Sequence, residues 1–122
     1  MILVDTSIWI DHLHASEPNL VELLNRDDAG VHSAVIEELA VGSIADRTTM
    51  LGLLSALHQF PVLTHREMLT LVDSRKWWGW GLSAADVHLL GAVLLTPGAK
   101  LWTRDRRLRE VCIGEAIAAF LE

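Results

Sequence analysis

Four acidic residues stand at positions where a charged side chain is unusual. Asp5 ends the apolar run MILV, and Asp105 follows the mostly apolar segment KLWT. Glu38 lies within a predicted helix among small and apolar neighbours, and Asp86 opens a predicted helix that is otherwise apolar. Charges are rarely left in such surroundings without a partner, and cations are few in the first half of the chain. A divalent cation such as Mg²⁺ or Mn²⁺, which takes oxygen ligands, is an economical partner.

Each of these carboxylates also has a simpler interpretation as a helix cap. Asp5 and Asp105 directly precede predicted helices, and Ser83 and Asp86 have the spacing of a capping box. Converging carboxylates without a cation would repel one another by roughly 4 kcal/mol per pair at about 4 Å. A bound cation could instead activate water and offset the charge that develops on a phosphodiester. The sequence is therefore consistent with both interpretations of the four acids, as helix caps and as a metal centre.

The elements that must position these acids alternate between short apolar runs and helical segments. We predict strands at 1–4, 31–32 and 100–103. Helices are predicted to begin near Ile8, to span about 19–26, 33–42 (N-cap Ser33), 46–58, 64–78 and Ala84–Leu95, and to run from about Asp105 to the end of the chain, with Gly114 as a candidate break. Strands separated by helices indicate the α/β class, with a parallel sheet wrapped by helices. Sites in such sheets form at the carboxyl ends of strands, where Asp5 and Asp105 fall.

Composition limits the class of protein further. The chain has 122 residues, of which 51% are hydrophobic and 21% charged, so one packed domain is expected. A net charge of −6 argues against a general nucleic-acid coat protein. The single cysteine, Cys112, excludes an internal disulfide framework and is expected in the core. No apolar run is long enough for a membrane span and no signal peptide is evident, so we expect a cytoplasmic protein without a membrane contact.

The four acidic motifs, taken in order, resemble those of PIN domains. MILVDTSIWID resembles the start of a PIN domain, EELAVG its Glu-Leu-x-x-Gly segment, SAADVHLL its third acidic motif and LWTRDRRL its last. The resemblance runs from position 1 to about 110, and it is closest to the toxins of VapBC-type toxin–antitoxin pairs. It implies a PIN-like α/β fold, with a small parallel β-sheet in three α/β/α layers, formed by residues 1–122 as a single domain.

The resemblance also implies an activity and a site. Similar proteins are Mg²⁺-dependent endoribonucleases, in which Mn²⁺ is expected to substitute and in which water attacks to leave 5′-phosphate and 3′-hydroxyl ends. The acids carried over are Asp5, Glu38, Asp86 and Asp105. We expect Asp5 and Asp86 to hold the metal most directly, and Glu38 to bind the metal or to orient the attacking water. Asp105 is expected to complete the pocket and to act through water. Adjacent residues point about 100° apart on a helix, so only one of the EE pair can face the metal. We choose Glu38 because it precedes the Leu of the motif.

Polar residues beside the acids and partners outside the chain complete this expectation. Thr6 and Ser7 match polar positions after the first acid, and Thr103 matches the one before the last. The family implies an RNA substrate, a VapB-like antitoxin partner and a homodimer. The alternative is a catalytically silent PIN-like module that only binds RNA or protein. A phosphatase with a strand-end Asp-x-Asp is disfavoured, because the sequence here is DTS.

Two basic clusters are candidates for RNA binding. Arg75 and Lys76 open the segment RKWWGWG, whose tryptophans could stack on RNA, form a protein interface or pack in the core. Arg104 and Arg106 flank Asp105 and could receive RNA phosphates, or pair with an acid near the C-terminus. Three further expectations concern residues outside the site: Arg107 on a solvated face, Trp9 and Trp102 in the core, and the six histidines in structural or surface positions.

Overall fold

The fold is built on four short parallel strands. A computed structural model describes residues 1–122, with β1 at Ile2–Val4, β2 at Ala29–Val31, β3 at His58–Gln59 and β4 at Lys100–Trp102. The strand order is β3-β2-β1-β4, and every neighbouring pair is parallel. The most apolar strand, β1, therefore lies between two neighbours and is buried along its whole length.

Seven helices make the crossovers that parallel strands require and cover the sheet. They are α1 (Thr6–His14), α2 (Pro18–Asn25), α3 (Ser33–Val41), α4 (Arg47–Ala56), α5 (His65–Arg75), α6 (Ala84–Leu95) and α7 (Arg106–Gly114). The predicted α/β class with three α/β/α layers is confirmed. None of these helices combines the length and apolar character that crossing a membrane demands.

The order of the strands determines where a site can form. The chain builds β1, β2 and β3 in one direction and then returns to place β4 on the other side of β1. This reversal lies between β1 and β4, and ligands of open α/β sheets bind at such a point, beyond the carboxyl ends of the strands. The Asp5 N–H continues the pairing by donating to the Trp102 carbonyl at 2.9 Å. The segments that follow β1 and β4 are thereby held side by side.

One hydrophobic core of 26 buried residues supports this edge of the sheet. Trp102 is fully buried and Trp9 is nearly so, as predicted for both. Cys112 is also fully buried, and burial raises the pKa of its thiol to about 11. Helix α6 has the predicted bounds, and most of its residues from Val87 onward are buried, which fixes the helix against β4.

The C-terminal segment differs from the prediction. Helix α7 ends at Gly114, the candidate break, and no helix resumes after it. Ala116 takes a left-handed conformation with φ of 55°, which a right-handed helix cannot accommodate. The following residues run beside β4, where Ala119 forms a parallel bridge with Leu101 and the Phe120 N–H donates to the Leu101 carbonyl at 2.9 Å. Free backbone groups of β4 thus find partners in this segment.

Three other boundaries were predicted wrongly. The predicted helix over 46–58 ends at Ala56 and is followed by β3. Strand β3 was not predicted, because its two residues are too few to show a strand pattern. The predicted helix over 64–78 ends at Arg75, where Lys76 turns left-handed at φ of 58°. The N-cap of α3 is His32, not Ser33: its Nδ1 accepts from the Ala34 N–H at 2.9 Å.

A matched pair of glycine substitutions tests the packing of β2. A Cβ at Gly30 would lie 2.4 Å from the Phe60 ring, whereas a Cβ at Gly52 in α4 would meet nothing within 4 Å. We expect Gly30→Ala to lower the free energy of unfolding by about 1–3 kcal/mol through overpacking. We expect Gly52→Ala to raise it by about 0.5–1 kcal/mol, because alanine is the better helix former. Urea denaturation measures both, and equal effects of the two variants would contradict this account of β2.

Candidate active site

An open cavity of about 580 Å³ lies beyond the carboxyl ends of β1 and β4. All four predicted acids, Asp5, Glu38, Asp86 and Asp105, line it. They come from four different places in the chain: the end of β1, the middle of α3, the first turn of α6 and the start of α7. The fold therefore brings together residues up to 100 positions apart in one acidic depression.

Asp5 is the most constrained of these acids. Its Oδ1 accepts from the Thr6 N–H at 2.7 Å and caps α1, while its Oδ2 accepts from the Thr103 hydroxyl at 2.7 Å. Thr103 is buried and its own oxygen accepts from the Asp105 N–H at 3.0 Å. Thr103 consequently ties the first acid to the segment that carries the last one.

The electrostatics of Asp5 reflect its surroundings. Burial raises the pKa of the Asp5 carboxyl above its ordinary value of 3.8. The hydrogen bonds from Thr103 and Thr6 oppose this rise in pKa, and the negative charges of Asp86 and Glu38 add to it. A buried carboxylate beside other negative charges favours the binding of a cation, since a cation offsets both the cost of burying the charge and the repulsion between the carboxylates.

Asp86 and Asp105 each use one carboxylate oxygen as a helix cap. Asp86 Oδ2 accepts from the Ser83 N–H at 3.0 Å, and the Ser83 hydroxyl accepts from the Asp86 N–H at 3.1 Å. Asp105 Oδ1 accepts from the Leu108 N–H at 3.0 Å. The second oxygen of each acid remains available on the cavity side. The two interpretations drawn from the sequence are therefore compatible, because the same side chains cap helices and line the cavity.

Glu38 differs from the other acids because it caps nothing. It lies in the middle of α3 with an exposed side chain, and the cap of that helix is His32. Glu38 lines the acidic cavity and the adjacent Glu37 does not. The choice between these two glutamates thus agrees with the geometry, and the Glu38 carboxylate is the one of the four that caps no helix.

Two hydroxyl groups at the start of α1 have no partner inside the protein. Thr6 Oγ1 and Ser7 Oγ are both buried without a hydrogen bond, and both residues line the acidic cavity. Unpaired buried hydroxyls are costly, so they indicate a place for water, an ion or a substrate oxygen. These are two of the supporting residues expected from the sequence.

The donor set fits a hydrated Mg²⁺ ion better than a fully enclosed metal. No group of three or more His, Cys, Asp or Glu side chains lies close enough to hold an ion unaided. Mg²⁺ does not need such a cage, because it dehydrates reluctantly and is usually held by one or two carboxylates, waters and substrate phosphates. Asp5 and Asp86, with the unpaired hydroxyls of Thr6 and Ser7 nearby, provide oxygen donors of that kind.

Arg104 lines the cavity, but its guanidinium already forms ion pairs with acids outside the set of four. Its guanidinium donates to Asp11 at 2.6 Å and to Glu17 at 2.9 Å, and it also pairs with Glu122. Glu122 accepts in addition from the Trp102 indole N–H at 3.0 Å. The sequence suggested that Arg104 either receives RNA phosphates or pairs with an acid near the C-terminus. In the structure it pairs with that acid, and its guanidinium is not free to bind a phosphate.

The remaining basic candidates lie outside the acidic cavity. Arg106 is 91% exposed and pairs with Glu110 along α7. Arg75 lies over the Trp77 ring, with its Cζ 5.8 Å from the ring centroid, and Lys76 caps the end of α5. None of the three residues Arg75, Lys76 and Arg106 lines the acidic cavity.

Arg107 has a contact that sequence reasoning missed. It lies on a solvated face, as expected, and from there it donates to the Gly81 carbonyl at 3.1 Å. Gly81 lines the acidic cavity. The contact joins residues 26 positions apart, so no local pattern indicates it. Arg107 is exposed, as expected, and its guanidinium in addition holds the turn at Gly81.

A buried and a half-buried histidine, His32 and His88, face each other from the two helices that carry Glu38 and Asp86. The rings of His32, before α3, and His88, on α6, have centroids 5.9 Å apart. His32 Nδ1 accepts a backbone hydrogen bond, while His32 Nε2 and His88 Nδ1 have no partner. Burial lowers the pKa of His32 below its ordinary value of 6.5, a protonated His88 would lower it further, and Glu37 opposes both effects. His32 is thus a neutral helix cap.

A parallel sheet with carboxylates from four segments at its switch point is the arrangement that the sequence motifs led us to expect. Comparison with known families identifies the class: residues 2–114 match the PIN domain, and the chain belongs to the PIN-domain family. It is also 58% identical over 118 residues to Ribonuclease VapC32 of Mycobacterium tuberculosis, in strains CDC 1551 / Oshkosh and ATCC 25618 / H37Rv. That alignment covers 97% of this chain and 95% of the relative. The chain is therefore a VapC-like PIN protein, as predicted.

Removing one of the cavity acids should stabilise the metal-free protein. Glu38→Gln deletes a charge that repels Asp5 and removes no helix cap. We expect the free energy of unfolding in EDTA to rise by up to about 1 kcal/mol, a screened surface value. We also expect Mg²⁺ to raise the melting temperature of the wild type more than that of this variant.

Glu37→Gln is the matched control, because it removes the same charge from the adjacent helix position outside the cavity. Thermal melts of the three proteins, with EDTA and with Mg²⁺, provide the comparison. If both glutamine variants responded alike to EDTA and to Mg²⁺, repulsion within the cavity would not be the cause.

The His32 cap predicts how stability changes with pH. Its native pKa is depressed, so the unfolded chain takes up a proton near pH 6.5 while the native protein does not. This contribution to the free energy of unfolding is present above that pH and is lost as the pH falls towards the native pKa. His32→Asn keeps a capping acceptor and should lose less stability between about pH 7.5 and 5.5.

Urea denaturation at several pH values gives the slope for wild type and variant. His65→Asn, at the exposed start of α5, controls for the loss of one histidine. A slope unchanged in His32→Asn, or reduced equally in both variants, would count against the assignment.

Proposed function

We propose that this chain is a metal-dependent endoribonuclease, the toxin of a toxin–antitoxin pair. The observation that carries the proposal is the convergence of four carboxylates from separate segments at the switch point of the sheet. Similarity over nearly the whole chain to a protein named as a ribonuclease supports the same activity. A phosphodiester is the substrate class that an acidic, metal-dependent pocket is suited to hydrolyse.

In this proposal Asp5 and Asp86 hold Mg²⁺, and Mn²⁺ substitutes for it. When bound, the ion supplies Lewis-acid chemistry, which lowers the pKa of water and offsets charge on the phosphate. Asp5 suits this role because its two hydrogen bonds fix the carboxylate. Asp86 suits it because the capping box orients one oxygen and leaves the other free. Asp105 completes the pocket and acts through water.

Glu38 and the hydroxyls of α1 orient the reactants. The carboxylate of Glu38 accepts a hydrogen bond from the attacking water, because it caps no helix and can adjust to the substrate. The hydroxyls of Thr6 and Ser7, which have no partner in the protein, donate to oxygens of the phosphate or of ordered water. The water oxygen bonds to phosphorus and the water gives up a proton to the solvent, while the P–O3′ bond breaks and the leaving 3′-oxygen takes up a proton from the solvent. The products carry a 5′-phosphate and a 3′-hydroxyl.

A VapB-like antitoxin and a second copy of the chain are the proposed protein partners, acting in the cytoplasm. An apolar hollow of about 370 Å³ supports the first of these. It contains Leu13, Leu39 and Ile44, and it shares Ile10 and Glu38 with the acidic cavity. A partner segment packed there could extend a basic side chain among the acids and exclude substrate.

The activity is tested on total cellular RNA with the purified, partner-free chain. We expect discrete cuts with Mg²⁺ or Mn²⁺ and none with EDTA, and fragments whose 5′-phosphate ends ligate directly to an adaptor. Glu38→Gln and Asp5→Asn should lower the cutting rate by about 10²-fold or more. Asp5→Asn keeps an oxygen that can accept from Thr6, so helix α1 retains its cap.

Glu37→Gln is the control and should cut at the wild-type rate, because its side chain lies outside the cavity. Fragments that end in a 2′,3′-cyclic phosphate would exclude water as the nucleophile. Equal background cutting by all variants, with no Mg²⁺ binding by calorimetry, would favour a silent module that binds RNA or protein.

A further inference from the structure

The segment between α5 and α6 holds two large aromatic side chains in solvent. Trp78 is 61% exposed and Trp80 is 44% exposed, whereas the adjacent Trp77 is 2% exposed. Tryptophan is highly buried on average, so two neighbouring exposed indoles need an explanation. The core and the proposed catalytic steps use neither of them.

The exposure is a property of a well-anchored segment. The Trp77 indole is buried and donates to the carboxylate of Glu115, the residue that follows α7. Arg107 closes over the segment and donates to the Gly81 carbonyl, where any Cβ would collide with the guanidinium at 2.3 Å. Gly79 and Gly81 take left-handed conformations, with φ of 76° and 74°. The backbone is therefore held on both sides, and the exposed indoles are presented from a fixed turn.

This segment is continuous with the acidic cavity. The hollow of about 220 Å³ beside Trp78 shares Gly81 and Ser83 with the wall of the acidic cavity. On the other side of the turn, Trp80 and Arg107 line a second hollow of about 400 Å³. A chain that leaves the acidic cavity over Gly81 reaches an indole on either side.

The charges around the two indoles favour a polyanion. Arg75 and Lys76 precede them in the chain, and Arg107 lies across the turn. The chain as a whole carries a net charge of −6, so this group of cations is a local feature. Glu110 and Glu115 also lie in the hollow beside Trp80, but Glu110 pairs with Arg106 and Glu115 accepts from Trp77.

We propose that Trp78 and Trp80 stack on unpaired bases of the RNA that flank the phosphate held in the acidic cavity. The inference rests on the proposed ribonuclease function and deepens it. Exposed aromatic faces bind unstacked bases of any sequence, while neighbouring cations hold the phosphates between them. The substrate class is accordingly single-stranded RNA, such as a loop, and not a paired stem. A protein partner is the competing occupant, but the cations and the continuity with the acidic cavity favour RNA.

Binding is measured separately from cutting. The probe is a fluorescein-labelled, mixed-sequence, single-stranded RNA of about 12 nucleotides, titrated in Mg²⁺ and followed by fluorescence anisotropy. All proteins carry Glu38→Gln to prevent cutting during the titration. We expect Trp78→Ala and Trp80→Ala each to weaken binding about tenfold, and Trp→Phe at either position to stay within about threefold, because phenylalanine keeps an aromatic face. A fully paired RNA hairpin stem should bind each variant and the parent alike.

Leu95→Ala is the matched control. Leu95 is 55% exposed at the other end of α6, roughly 16 Å along the helix from its first turn, and should not affect binding. A double variant combines Trp78→Ala with Trp80→Ala in the Glu38→Gln parent. If it bound the RNA as tightly as the parent, or if the parent did not bind, the proposal would be overturned. Light scattering distinguishes one such outcome. If the double variant kept its affinity for RNA but had a smaller molar mass than the parent, the indoles would form a contact between copies of the chain, and the proposal would be wrong. Loss of cutting by the wild type would instead refute the ribonuclease function and leave this titration informative.

Discussion

Hydrogen bonds from backbone N–H groups hold the acidic cavity together. Asp5, Asp86 and Asp105 each accept from a backbone N–H at the N-terminus of a helix, at 2.7, 3.0 and 3.0 Å. The positive end of a helix dipole favours a negative charge at that place, so each helix offsets part of the repulsion that convergence creates. Only Glu38 lacks such a bond. The protein can therefore keep carboxylates adjacent and charged while one of them stays free to adjust.

The sheet topology decides which helix ends can meet. Because β4 is added on the far side of β1, the segments after these two strands become neighbours although about 100 residues separate them. Thr103 joins them with one hydroxyl, which donates to Asp5 and accepts from the Asp105 N–H. Helix α6 packs its central residues against the core and brings its capped first turn to the acidic cavity. Core packing and active-site geometry are consequently parts of a single arrangement.

Local patterns predicted what local interactions determine. The capping box of Ser83 and Asp86 is a contact over three residues, and the bounds of α6 follow from it. The predicted cap at Ser33 was wrong because an imidazole nitrogen took the role that a hydroxyl usually has. The contacts of Arg104 and Arg107 join residues 18 to 93 positions apart, and such pairs leave no periodic signal. Sequence reasoning therefore placed the acids on their elements, but it could not identify the long-range partners of the cations around them.

The two sides of the sheet limit how copies of this protein can associate. A bare outer strand presents a row of unpaired N–H and C=O groups, which invites another chain to add a strand. Here the residues around Ala119 already occupy that position beside β4, and β3 on the opposite side has only two residues. Neither side offers a template for the open-ended growth of a continuous sheet. Any assembly must accordingly use helix and loop surfaces, where side chains select the partner and closed complexes of defined size are favoured.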